Sequence, residues 1–282
     1  MSASEPLNPR WRAQSLPQRL ISGIVLAVAA VVAVWLGGWY FTALLMLVLL
    51  IALWEFVQMA DRAGYTTFPA AAMVAGFSAL LLAATHEAEG SGLVYLAVMV
   101  WMLAQSLRPP VEGKLAGLAI TTFGLVYVIG LGIHVIWLRD LSRGGELLLV
   151  VLLTTWAADV FAFFVGVRWG KRKLAPHVSP GKSVEGVVAG FLGAALICAA
   201  ASRWVAPGLM NAGEAALVGV LLGVAAPIGD LVESMCKRNL RVKDTSRMIP
   251  GHGGVLDRID SLLLTVPLAY YLFRILDVGG AS

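Results

Sequence analysis

Between Lys237 and Ser261 the chain reads KRNLRVKDTSRMIPGHGGVLDRIDS: six basic residues, a histidine and three glycines in a mostly oily sequence. Just upstream, AAPIGDLVESMCKRN carries Asp230, with Glu233 and Ser234 three and four residues later on one helical face. Asp257 repeats the arrangement with Asp260 and Ser261, so two helices each present oxygen ligands. A carboxylate in the hydrocarbon region costs roughly 2.5–3.5 kcal/mol or more, so such groups normally face a cavity and have partners. Hard divalent cations such as Mg²⁺ take oxygen ligands, usually one or two carboxylates plus substrate phosphates. Asp230 and Asp257 are the first candidates for metal ligands, with Asp260, Glu233 and Ser234 as ligands or their supports.

The surrounding cations point the same way. Lys171, Arg172, Lys173, Lys182, Lys237, Arg238, Arg241, Lys243 and Arg258 suit phosphate, and a bare proton relay has no need of them. The adjacent Gly253 and Gly254 suggest backbone brought close to a ligand, and their N–H groups are candidates to meet an anion. An earlier basic loop contains SPGKS, in which Ser179, Lys182 and Ser183 offer hydroxyls and a cation. Ser183 or its neighbour is a candidate cap for the next helix. The loop is no P-loop, because the GxxxxGK[ST] frame is absent. His252 is a candidate for direct catalysis, for ordering its loop or for touching phosphate. On the residues alone, phosphate chemistry, ion or proton transport and a structural membrane role all stay open, and part of the positive charge is a topology signal.

The elements that must hold these groups are membrane helices. Of 282 residues, 59% are hydrophobic and only 13% charged, and mean hydropathy is +0.82. Nine apolar segments are candidate spans: 20–37, 39–60, 68–85, 91–107, 115–138, 146–168, 185–206, 213–236 and 259–277. The fifth is interrupted by glycines in GLVYVIGLG. The runs lack the alternation of a membrane barrel, so an all-α polytopic protein is expected. The polar first 20 residues read as a retained cytoplasmic tail, not a cleaved signal. With that end inside, all six lysines fall on the cytoplasmic side and nine spans put the C-terminus outside.

Residues 1–140 carry few intramembrane polar groups and read as a scaffold of about five helices. Residues 141–282 read as the working region with the two basic loops. Gly166/Gly170, Gly186/Gly190 and Gly219/Gly223 have the four-residue spacing that lets membrane helices approach closely. Cys198 and Cys236 form neither a disulfide framework nor a zinc spacing. No extended basic, aromatic-laced surface suggests nucleic acid.

The stretch SMCKRNLRVKDTSRMIPGHGGVLDRID, Ser234 to Asp260, resembles the signature of the phosphatidate cytidylyltransferases, or CDP-diacylglycerol synthases. The loop from Asp159 is similar to that family's D-x-x-A-Y-x-x-G…G-K…S-P-x-K-T-x-E-G. Here Phe163 stands for Tyr, Ser183 for Thr, and Cys236 for an aliphatic residue or Phe. The resemblance covers about 159–260. It implies a multi-pass enzyme of the inner (plasma) membrane, with its site facing the cytoplasm, that joins CTP and phosphatidate into CDP-diacylglycerol and pyrophosphate. It further implies Mg²⁺, a second, monovalent cation and a homodimer. Asp230, Asp257, Lys237, Arg258 and His252 are then the catalytic candidates. Lys171, Ser179, Lys182, Ser183, Arg238, Lys243, Asp244, Gly253 and Gly254 are the substrate-binding ones. A CTP-using polyprenol kinase is the rival enzyme and an ion-coupled transporter the rival outside enzymology.

Overall fold

A computed structural model describes residues 9–86, 91–242, 244–246, 248–249 and 253–278, and of residues 9–20, 91, 92 and 95 the backbone alone. The helices are α1 (Pro9–Leu36), α2 (Gly38–Arg62), α3 (Pro69–Thr85), α4 (Ser91–Ser106), α5 (Lys114–Gly124), α6 (His134–Asp140), α7 (Gly144–Trp169), α8 (Val184–Trp204), α9 (Ala212–Asn239) and α10 (Leu256–Ile275). Each of the nine apolar segments is therefore helical. Five helical stretches are long and apolar enough to cross a bilayer: Gly38–Arg62, Lys114–Asp140, Gly144–Trp169, Val184–Trp204 and Ala212–Asn239. The architecture is that of an all-α membrane protein. Large apolar side chains such as Trp35, Tyr40, Leu93, Phe164, Leu196 and Trp204 stay exposed on its outside, as a lipid-facing surface requires.

Local signals explain the boundaries. α1 turns into α2 through Gly37 and Gly38, both at positive φ, a conformation that side chains avoid. Pro69 opens α3, where its missing N–H costs nothing. Asn211 and Glu214 cap α9 reciprocally, each side chain taking the other's backbone N–H. The glycine-interrupted fifth segment is not severed. It runs α5, a π-helical turn over Leu125–Gly130, then α6.

Two apolar clusters hold the bundle. One joins Leu49, Leu53 and Phe56 of α2 to Leu80, Val128 and Ile129. The other joins Leu147, Leu148 and Val151 of α7 to Cys198, Val218 and Leu222. α10 enters both, through Leu256 and Leu263 in the first and Val266 and Phe273 in the second. The paired glycines set the helix spacing in the second half. A Cβ at Gly186 would sit 2.7 Å from the Ala162 carbonyl on α7, and one at Gly219 would sit 2.6 Å from the Ala195 Cα on α8. α8 thus lies against α7 and α9 at backbone distance.

One element was absent from the expectation of helices alone. Between α7 and α8, β1 (Lys173–Ala175) and β2 (Ser179–Ser183) form an antiparallel hairpin, pairing Lys173 with Ser183 and Ala175 with Ser179. Its strands are too short for a periodic signal. Glu185, in the first turn of α8, anchors the hairpin by accepting the N–H groups of Lys171 and Arg172 at 3.1–3.2 Å. Ser183 caps α8, its Oγ accepting the Gly186 N–H at 3.2 Å.

Candidate active site

A cavity of about 590 Å³ opens where α7, the hairpin, α8, α9 and the start of α10 meet. Its lining includes Asp159 from α7, Lys182 from β2, Asp230, Glu233 and Lys237 from α9, Asp244 from the following loop, and Asp257, Arg258 and Asp260 from α10. The helix faces expected from spacing are therefore real. Asp257 and Asp260 share one cavity with Asp230, on a neighbouring helix.

The charges fall into two groups. In the closed group, Lys237 Nζ lies 2.5 Å from Glu233 Oε2 and 2.7 Å from Asp257 Oδ1. Asp257 Oδ2 also accepts from the Thr245 N–H (3.2 Å), the Thr245 hydroxyl (2.9 Å) and the Gly254 N–H (2.7 Å). This carboxylate is thus committed to its own loop and to one lysine. In the open group, Lys182 Nζ meets Asp230 Oδ2 at 2.8 Å and donates to the Pro227 carbonyl at 3.1 Å. Ser234 Oγ donates to Asp230 Oδ1 at 3.2 Å. Asp159 is exposed to the cavity and lies within electrostatic reach of Asp230, Asp260 and the Ser261 hydroxyl.

The donor set can be tested against a metal. Among the described residues, no three His, Cys, Asp or Glu side chains are gathered tightly enough to hold an ion by themselves. The cavity nevertheless has six carboxylates (Asp159, Asp230, Glu233, Asp244, Asp257 and Asp260) against three cations (Lys182, Lys237 and Arg258). Glu233 Oε1 is buried with no hydrogen-bond partner. An excess of hard oxygen with little chelation fits a cation that takes one or two carboxylates and completes its shell from water and substrate phosphate, the usual habit of Mg²⁺. Asp159, Asp230 and Asp260 are the cavity carboxylates that lie outside the Lys237 group, and Asp230 is held there by Lys182 and Ser234.

Residues 17–276 match the cytidylyltransferase family. The chain belongs to that family. It is 37% identical to a phosphatidate cytidylyltransferase of Haemophilus influenzae, over 93% of this chain and 100% of that protein. It is 36% identical to the protein of that name from Pseudomonas aeruginosa, over 90% and 95%. For the one from Synechocystis the identity is 32%, over 92% and 97%.

Within this cytidylyltransferase chain, the site residues expected from sequence separate clearly. Asp230, Glu233, Lys237, Asp257, Arg258, Asp260, Ser179, Lys182, Ser183 and Asp244 all line the cavity, and Ser234 is bonded to Asp230. Ser183 is buried and spends its oxygen on the α8 cap. Lys171 and Arg238 are not in the lining; Arg238 Nε donates to the Val178 carbonyl at 3.2 Å, tying the end of α9 to the hairpin. The Gly253–Gly254 turn has internal work. Gly253 takes φ +79°, and the Gly254 N–H, expected to meet an anionic ligand, is given to Asp257. His252 and Lys243 lie outside the described residues.

Two carboxylates escaped the sequence-derived set. Asp159 opens the loop motif but was not assigned a role, although an acid inside an apolar run is itself the signal. Glu55, in the apolar run of α2, carried the same signal and lay in the half read as scaffold. Phe163, standing where the family pattern has Tyr, lines the cavity mouth with its ring 5.7 Å from that of Phe164.

Proposed function

We propose that the chain is a phosphatidate cytidylyltransferase. A phosphate oxygen of phosphatidate attacks the α-phosphorus of CTP, the bond from that phosphorus to the β-phosphate bridging oxygen breaks, and pyrophosphate leaves with the electron pair. The attacking phosphate is already anionic near neutral pH, so no strong general base is needed. Such transfers ask chiefly for positioning and charge neutralisation. One observation carries the reading: a carboxylate-rich, lysine- and arginine-bearing cavity in an otherwise apolar helical bundle of this family.

The chain's own groups divide the task. Lys182 and Arg258 hold phosphate oxygens; Arg258 is exposed, and Lys182 sits on the hairpin beside the cavity. Asp230, Asp260 and Asp159 would hold a divalent cation, with Glu233 beside them in the cavity lining. When bound, Mg²⁺ would supply positive charge to the attacking and leaving oxygens. Asp257, first expected as a metal ligand, serves here mainly to fix the loop and Lys237. The same reading takes all nine helical segments as spans, faces the site to the cytoplasm at the inner membrane, and includes a homodimer and a second, monovalent cation. Its support on these points is the lysine asymmetry and the motif resemblance.

The test incubates purified protein with labelled CTP, phosphatidate and Mg²⁺. CDP-diacylglycerol and pyrophosphate in equal amounts are expected. CDP with a phosphorylated lipid would replace the reading with a kinase, and no CTP turnover would remove it.

A further inference from the structure

Glu55 is 2% exposed on a helix whose neighbouring residues are apolar, so its carboxylate needs partners inside the protein. It finds them on the segment that leads into the site. Oε1 accepts from Ser246 Oγ at 2.5 Å and from the Val255 N–H at 3.1 Å. Oε2 accepts from the Leu256 N–H at 2.8 Å and lies 3.4 Å from Thr245 Oγ1. These two amides belong to the start of α10, which has no side-chain cap of its own. The first N–H groups of a helix lack intrahelical partners and carry the positive end of its dipole. Glu55 therefore caps α10 from another helix, about 200 residues away in sequence.

The contact continues to the site. The Thr245 hydroxyl has one proton and stands between two carboxylates; it lies nearer to Asp257 Oδ2, at 2.9 Å. Gly254 is the seat of the arrangement. A Cβ there would lie 2.5 and 2.7 Å from the two Glu55 oxygens and against Thr245 Oγ1. The last glycine of PGHGG is thus required by an acid on α2.

We propose that Glu55 is a positioning residue for cytidylyl transfer: it fixes Thr245, Ser246 and the first turn of α10 from Gly254 to Leu256, and through them the placement of Asp257 and Lys237. This rests on the reading that the cavity carries the reaction.

Glu55→Gln is close in size but turns an NH₂ group toward N–H and O–H donors. We expect kcat to fall about 10- to 100-fold, the range for groups that orient active-site residues. KM for CTP should stay within about threefold, since Lys182 and Arg258 are untouched by this change. Amide hydrogen exchange at Gly254, Val255 and Leu256 should quicken while the rest of α2 and α10 keeps its protection. Thr245→Val removes only the hydroxyl between the two acids. It should also lower kcat, and the double variant should be little worse than Glu55→Gln alone, because both act through one network. Wild-type kcat in Glu55→Gln, or a loss that merely tracks the folded fraction, overturns the proposal. If Glu55→Gln does not fold, undiminished kcat in Thr245→Val overturns it and a lowered kcat at unchanged KM supports it. If wild-type protein makes no CDP-diacylglycerol, the reaction assignment falls, and unchanged exchange at 254–256 in Glu55→Gln would separately sink the positioning claim.

Discussion

Lys237 gives the sharpest quantitative test of the site's construction. Its side chain is 13% exposed and is shared by Glu233 and Asp257, which are 2% and 6% exposed. Lys237→Met keeps most of the volume and removes the charge, leaving two buried carboxylates without their common cation. Breaking a buried pair from one side costs about 3–5 kcal/mol. At about 2–4 °C per kcal/mol for a chain of this order of size, thermal unfolding in detergent should move down by roughly 6–20 °C. Arg143→Met is the control, because Arg143 and Glu146 pair with side chains 38% and 37% exposed. Such a pair is screened by solvent and contributes far less than a buried one. Adding Glu233→Gln to Lys237→Met should restore part of the loss, since only one buried acid then lacks a cation. A shift in Lys237→Met no larger than in the Arg143 control would refute the buried-triad reasoning, whatever happens to activity.

Three further outcomes are expected. Asp230→Asn should cut cytidylyl transfer by at least about 100-fold while purified protein stays monodisperse, because it removes a carboxylate that would hold the cation facing the reacting phosphates; near-normal turnover would remove Asp230 from the site. Ser183→Ala should lower the unfolding temperature by a few degrees, because an N-cap oxygen contributes about 1 kcal/mol, and Ser183→Thr should lower it less. Gly219→Leu should prevent stable folding, because even a Cβ at that position would sit 2.6 Å from the Ala195 backbone; a stable, active variant would show that α8 and α9 do not pack through this glycine.

Much of the fold was legible because membrane helices announce themselves by composition. All nine apolar segments are helical, and their ends fall within a few residues of the expected bounds, α7 at Gly144–Trp169 for 146–168 being typical, except that α1 starts at Pro9 where the span was expected from 20. The hairpin was not legible. Its strands of three and five residues are held by Glu185 and by the helices on either side, not by any pattern of their own. The π-helical turn was visible only as a cluster of glycines. Those glycines make sense in three dimensions, where a Cβ at Gly124 would sit 2.6 Å from the Phe56 ring and one at Gly132 equally close to Leu49.

Most of the candidate cavity's lining was legible in the sequence, though not Asp159, and its pairing was not. Spacing alone put Asp230, Glu233, Asp257 and Asp260 on faces that can meet, and they do. Spacing could not say which acid would be closed and which left open, because that depends on donors far away in sequence. Asp257 looks equivalent to Asp260 on a helical wheel. It differs because Thr245, Gly254 and Lys237 converge on it, while Asp260 accepts the Ser261 N–H and faces Asp159 and Asp230. Glu55 is the extreme case: nothing local to LWEFV hints that its carboxylate lies at the start of the last helix. The division at residue 140 into scaffold and working region thus describes composition better than chemistry, since a charge from α2 sits among the groups that shape the site.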